Sequence, residues 1–289
     1  MMYHRLYIIG NGFDIAHGYN TRFKNFLEWM QIYYSYDYWT FSSYFDEYLL
    51  WNDFESSLDT FDFDQFSNDH YPIEDSPQGE AKFIGDINYS LSVFSRISNL
   101  LSEWLSNIRY DENTHISKSI VPDSLFLTFN YTSTLETLYA IPQQNILHIH
   151  GSLSNKEELI CGHNDIKIVR KLKKRTDEYH DGYIDQELAN LEYQYFSTTF
   201  KDVDEIIKQN NIFFQYLSSV NNINILGHSL NSIDFPYFYR IKTEVSENCI
   251  WNIHCYSNYD KEKAYNLIKQ LNIINYKIIY KDDRDYYMN

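Results

Sequence analysis

Cations are scarce in this chain: 24 Lys and Arg stand against 40 Asp and Glu, a net charge of −16 at neutral pH. Phosphate contacts need clustered cations, so this balance argues against a dedicated nucleic-acid binder. One stretch departs from it. Residues 167–175 hold Lys167, Arg170, Lys171, Lys173, Lys174 and Arg175, which reads either as a solvated helix face or as a phosphate groove. Cysteine is nearly missing, and Cys161, Cys249 and Cys255 show neither ladder spacing nor a CxxC pair. A disulfide framework is therefore excluded, and reduced thiols in a cytoplasmic protein are expected. No run of about 18 apolar residues offers a membrane span. The N-terminal apolar run stops at Gly10 without a leader-like cleavage site, so a soluble protein with no membrane partner is expected.

What the chain does have is apolar mass. Hydrophobic residues make up 44% of its 289 positions, enough for a packed core and against wholesale disorder. Its 28 Tyr and 19 Phe imply many half-buried rings with wet hydroxyls. The length suits one compact unit spanning 1–289, with room for an insertion.

Short apolar runs at 5–9, 124–129, 145–149, 158–161, 223–226, 250–255 and 276–280 read as buried strands of a parallel sheet. Helical patterns at 133–139, 202–220 and 259–271 alternate with them. The expected fold is α/β, a Rossmann-like, mostly parallel sheet. Residues 21–120 are aromatic, acidic and strand-free, and read as an inserted helical layer with a loop at 69–85. Trp51 and Glu55 fall four apart there, a spacing that puts them on one helix face.

Ligands of open parallel sheets bind outside the carboxyl ends of the strands. The polar and glycine-rich groups fall at those ends. Gly10, Asn11, Gly12 and Asp14 follow the first strand, Thr128 and Asn130 close the second, His150 the third, and Gly227, His228 and Ser229 a later one. The glycines would let backbone amides approach a phosphate, although tight turns need glycine anyway. Asp14 reads as a helix cap or as a ribose partner. Asn130 reads as an Asx turn or helix cap, or as an amide that orients a sugar or water. His148 and His150 share a strand face; His150, at the strand end, is the better placed general base.

These segments resemble a known family. Ile-Ile-Gly-Asn-Gly-Phe-Asp-Ile-Ala-His-Gly at 8–18, Trp-Asn-Asp-Phe-Glu at 51–55, Thr-Phe-Asn-Tyr-Thr at 128–132 with Leu135 and Glu136, His-Ile-His-Gly at 148–151, and Leu-Gly-His-Ser-Leu at 226–230 with Asp234 are similar to the bacteriophage abortive-infection AbiH family. The resemblance implies a bacterial antiphage role, with a phage-derived trigger and homo-oligomerisation among its expected partners. A remoter resemblance to sirtuin-like proteins implies NAD as substrate or ligand. It places Gly10 and Gly12 in the nucleotide loop, Thr128 and Asn130 in the second segment, His150 as the catalytic imidazole, and Gly227 with Ser229 in the late motif. Asn11, Asp14 and Thr132 stand where that pattern has Ala, Ser and Asp. The zinc module of the deacetylases is absent, which leaves the zinc-free, NAD-hydrolysing branch as the implied relative.

Three functions follow as expectations. The first is release of nicotinamide from NAD, with Asn130 orienting water or ribose and His150 accepting a proton. The second is a metal-dependent phosphoesterase or nuclease drawing on His148, His150, Cys161, His163, Asp165, His228 and Asp234. The third is a non-catalytic nucleotide sensor.

Overall fold

A computed structural model describes residues 3–70, 76–111, 117, 119–178 and 182–280. The chain divides into two compact units: Met1–Arg22, Leu105–Leu159 and Asp202–Asn289 form the first, Phe23–Trp104 and Ile160–Lys201 the second.

The first unit carries the sheet. Its strands are β1 (Arg5–Ile9), β2 (Leu125–Thr128), β3 (Ile146–His148), β4 (Asn222–Leu226), β5 (Ile250–Cys255) and β6 (Tyr276–Tyr280). They run in the order β3-β2-β1-β4-β5-β6 with every pair parallel. This is the Rossmann-like order, in which the winding reverses between β1 and β4. Leu6 and Ile8 are fully buried, as are Tyr7 and Ile9 on the opposite face, so β1 reads as an unbroken apolar run because both its faces are covered. Tyr7, Ile9, Phe13, Phe126, Leu135, Tyr139 and Leu226 pack in one cluster. Within it the Tyr7 and Phe126 rings stack at 5.1 Å, and the Tyr7 hydroxyl donates to the Ser119 carbonyl at 2.9 Å.

The second unit is helical in its described residues, and aromatic rings fill its core. Phe61 and Phe94 meet Tyr195 at ring distances of 4.4 and 4.6 Å, while the Tyr195 hydroxyl donates to the Leu58 carbonyl at 2.8 Å. The fully buried Lys201 ammonium pairs with Glu55 at 2.9 Å. Among the described residues no helix is long and apolar enough to cross a membrane.

Several sequence expectations change. The run 158–161 forms no strand: the Glu158 carbonyl lies against the turn at Gly151, and the next chain segment bridges His163 to Phe200 instead. Within the expected loop 69–85, residues 71–75 lie outside the described set, and Pro77 starts a helix, Pro77–Ser95, whose cap is Ser76 accepting from Gly79 N at 3.0 Å. Proline at the first helical position begins a helix rather than breaking one. The helical segment after the first strand is joined in its unit by 160–201, where the helix Tyr183–Thr198 carries the same aromatic packing through Tyr195 and Phe196. Trp51 and Glu55 do not share a helix. The chain breaks at Asp53, which caps the short helix Phe54–Ser57 by accepting from Ser56 N at 3.3 Å.

Glycine use gives a paired test. Gly227 adopts φ +64, and a Cβ there would lie 2.2 Å from the Phe13 amide nitrogen. Gly85, on the exposed face of the helix Pro77–Ser95, has open space around it. Gly227→Ala is expected to cost at least about 2 kcal/mol, and Gly85→Ala to add roughly 0.5–1 kcal/mol. Urea unfolding of both variants measures this; equal effects would contradict the packing described.

Candidate functional site

Parallel pairing in register carries four strand ends to one edge of the sheet. The ladder continues past the strands themselves: Phe129 N donates to Ile9 O at 2.9 Å, Ile149 N to Thr128 O at 3.0 Å, and Gly10 N to Leu226 O at 3.0 Å. Gly10, Asn130, His150 and Gly227 thus share the carboxyl-end rim of the sheet, as ligand-binding positions of this architecture do.

The glycines serve contact between backbones. A Cβ on Gly10 would lie 2.5 Å from His228 Cα, and one on Gly12 2.8 Å from Gly227 Cα. Gly12 N donates to Gly227 O at 2.8 Å and Phe13 N to Gly10 O at 2.9 Å. The amides of Gly10, Gly12 and Phe13 are therefore all engaged within the chain. Asn11 turns aside, with its Nδ2 donating to the Thr21 carbonyl at 2.7 Å and its Oδ1 accepting from the Thr21 hydroxyl.

Asn130 joins β1 to β2 and β3. Its Nδ2 donates to Gly10 O at 3.2 Å, its N–H donates to the Thr128 hydroxyl at 3.1 Å, and its carbonyl meets His148 Nδ1 at 2.9 Å. Its side-chain Oδ1 is buried and has no hydrogen-bond partner among the described residues. A buried acceptor left unmade costs about 1–3 kcal/mol, so a ligand or water that donates to it recovers that energy. Asn130 caps no helix, since the helix Thr134–Tyr139 begins after Ser133.

Asp14 is neither a cap nor exposed. It lies inside the helix Asn11–Ala16, whose cap position is Gly10, and is fully buried. The Thr132 hydroxyl donates to its Oδ2 at 2.5 Å. Burial raises its pKa to about 6, against the pull of the Thr132, Thr134 and Asn130 groups and of the His148 charge. A buried carboxyl with a raised pKa at a strand-end rim is a functional-site candidate.

The histidines separate by role. His148 faces two acceptors, the Asn130 carbonyl and Glu136 Oε1, each at 2.9 Å. The two contacts hold the ring between the Asn130 backbone and Glu136, which makes His148 a fixed tether. His150 is buried, edge-on to Phe129 at 5.2 Å and to Tyr237 at 5.7 Å. His228 Nδ1 accepts from Leu230 N at 2.9 Å, and its Nε2 lies 3.6 Å from Asp234 Oδ2. An accepting Nδ1 places the proton of the neutral ring on Nε2, facing that carboxylate. Leu230 itself adopts φ +54, a left-handed conformation that costs a side-chain-bearing residue about 1–2 kcal/mol. Ser229, between them, is exposed.

Thr132, Thr134 and Glu136 were not singled out by sequence reasoning as site residues. Their alternation directly after Asn130 was the available signal, since it sends two hydroxyls toward Asp14 and a carboxylate toward His148. Among the described residues no three His, Cys, Asp or Glu side chains are arranged to hold a metal ion. His163, one of the ligands considered, uses Nε2 on the Phe196 carbonyl at 3.0 Å and accepts from Asp165 N through Nδ1 at 3.2 Å. Burial lowers its pKa.

Fold and site define a Rossmann-like α/β protein with a buried amide–carboxyl centre at its strand ends. Residues 6–255 match the family model described as "Bacteriophage abortive infection AbiH". The chain belongs to this family. No curated protein gives a significant match to it.

Because folded Asp14 keeps its proton up to about pH 6 while the unfolded carboxyl loses it near 3.8, the folded chain binds more protons between those values. Stability from this group therefore falls as pH rises through that window and stays low above it. The fall is on the order of 2–3 kcal/mol. Asp14→Asn keeps the shape without the charge, so its stability relative to the natural chain should rise by that amount between pH 4 and 7. Urea melts across this range test the point, and parallel pH profiles would contradict it.

Proposed function

We propose that this chain is a bacterial antiphage abortive-infection protein that binds NAD, or a closely related nucleotide, at the carboxyl ends of β1 and β2 and releases nicotinamide by hydrolysis. Family membership supports the antiphage role. The nucleotide reading is carried by one observation: the unsatisfied Asn130 Oδ1 in a buried setting shared with the raised-pKa Asp14 carboxyl. The similarity of the strand-end motifs to sirtuin-like proteins points to the same ligand.

The chemistry asks little of a general acid, because the nicotinamide leaving group is already cationic in the substrate. The protein has to position the ribose, place one water and stabilise a developing positive charge on the sugar. Asn130 Oδ1 accepts a hydrogen bond from a ribose hydroxyl or from the attacking water. Asp14, with a pKa of about 6, is ionised at neutral pH and supplies the negative charge facing the oxocarbenium-like centre. His150 takes the proton of the attacking water. Gly10, Gly12 and Gly227 contribute by bringing the β1 and β4 ends together, with the Gly10 and Gly12 amides spent within the chain. Ligand recognition in this reading falls on side chains, with Thr128 holding the Asn130 backbone and His228 fixed beside Asp234.

Incubation of the purified protein with NAD, with nicotinamide followed by chromatography, tests turnover. Thermal unfolding with NAD and with ADP-ribose tests binding separately. Both ligands should raise the melting temperature by a few degrees, and Asn130→Ala should abolish the shift. His150→Ala and Asp14→Asn should each slow nicotinamide release by about 100-fold or more. Absence of a thermal shift in the natural chain would remove the nucleotide assignment, and a shift without turnover would leave a nucleotide sensor in its place.

A further inference from the structure

The basic stretch forms the helix Ile166–Thr176, which contains no Asp or Glu. At about 100° per residue, Lys167, Arg170, Lys171 and Lys174 fall within one arc of roughly 100°, along about 10 Å of helix. All four are exposed, and none makes a salt bridge among the described residues. The other two cations of the helix have structural employment. Arg175 pairs with Glu192 at 2.6 Å, and Lys173 lies over the Tyr193 ring at 5.7 Å.

Helix electrostatics account for Lys174, in the last turn where the dipole favours a cation, but not for the rest of the stripe. Lys167 sits in the first turn, where the helix dipole disfavours a cation. Like charges three and four residues apart each cost a few tenths of a kcal/mol. Of the 40 carboxylates, Glu192 feels the Lys171 charge but is already paired with Arg175, and none forms an ion pair with the four cations among the described residues. A single-sign array of this kind, without direct ion pairs, is the electrostatic footprint of a polyanion site.

The composition of the stripe selects among polyanions. A protein interface needs a buried apolar or aromatic anchor at its centre, and the only apolar side chain on this helix exposed beyond a third is Ile166, at 36%. A phosphodiester backbone is held by charge alone and needs no anchor. Tyr183, 59% exposed, starts the adjoining helix Tyr183–Thr198, whose Gln186 donates to the Thr176 carbonyl at 3.3 Å. An exposed ring therefore stands by the C-terminal end of the stripe, available for base stacking. The acidic remainder of the surface is screened beyond about 8 Å at physiological salt, so the stripe acts locally. We propose that Lys167, Arg170, Lys171 and Lys174 form a docking surface for a nucleic-acid backbone, engaged without base specificity.

The test is fluorescence anisotropy of a labelled duplex of about 20 base pairs with the full chain, between about 50 and 200 mM salt. The comparison variants are K167Q/R170Q/K171Q/K174Q and a control with the same charge change elsewhere, K82Q/K208Q/K269Q/K277Q. Thermal melts verify that both are folded. The natural chain and the control should bind with a log–log salt slope between about −3 and −4, the value for four neutralised phosphates. The stripe variant should bind at least about tenfold more weakly, with a slope shallower than about −1. Equal binding by natural chain and stripe variant, or equal loss in the control, overturns the proposal. So does no binding by the natural chain at roughly 100 μM protein in low salt. Stripe-dependent binding to phosphatidylserine vesicles, or stripe-dependent self-association, without duplex binding also overturns it.

Discussion

The site depends on backbone meeting backbone where the winding of the sheet reverses. Gly10 and Gly12 on one side and Gly227 on the other approach so closely that no Cβ fits at any of the three. This contact fixes the turn after β1 against the turn after β4, and the helix Asn11–Ala16 leaves from that anchor. The helix in turn carries Asp14 under the end of β2, where the Thr132 hydroxyl reaches it. Asn130 completes the clasp through its bond to the Gly10 carbonyl. Loosening the glycine contact would shift the carboxyl and the amide together.

Such an anchor changes what a glycine-rich turn means. In nucleotide-binding folds the small residues often serve to present amides to phosphate. Here the amides of Gly10, Gly12 and Phe13 are already bound within the chain, so the turn secures geometry. The free energy held in the site lies elsewhere: in a desolvated carboxyl with its pKa near 6, in an amide oxygen without a donor, and in a left-handed Leu230. Unfavourable local features of this kind persist where function requires them and the surrounding packing over-determines them.

Much of the sheet was legible because parallel strands buried on both faces leave unbroken apolar runs, as at 5–9 and 250–255. The run at 158–161 was read the same way and failed, since three apolar residues after a glutamate do not specify a pairing partner. Gly10, Asn130, His150 and Gly227 do lie on one rim, because register carries sequence-distant strand ends together. The strand-end rule could not tell which groups on that rim were free. The side-chain bonds of Asn11 to Thr21 and of His148 to Glu136, and the burial of Asp14, arise from tertiary packing that has no local sequence signature. The helix Tyr183–Thr198 was missed for a related reason: its aromatic positions pack against rings about a hundred residues or more away in the chain, as Tyr195 does with Phe61 and Phe94.

The proposed function makes the Asp14 carboxyl, held under Asn130, the group that responds to a nucleotide. Carbon-13 NMR of labelled aspartate carboxyls, with the Asp14 signal assigned by its loss in Asp14→Asn, reads that group directly. The account predicts a titration midpoint near pH 6 in the free protein and a displaced signal when ADP-ribose is added. A midpoint near the ordinary aspartate value of about 4, unmoved by ADP-ribose, would contradict it.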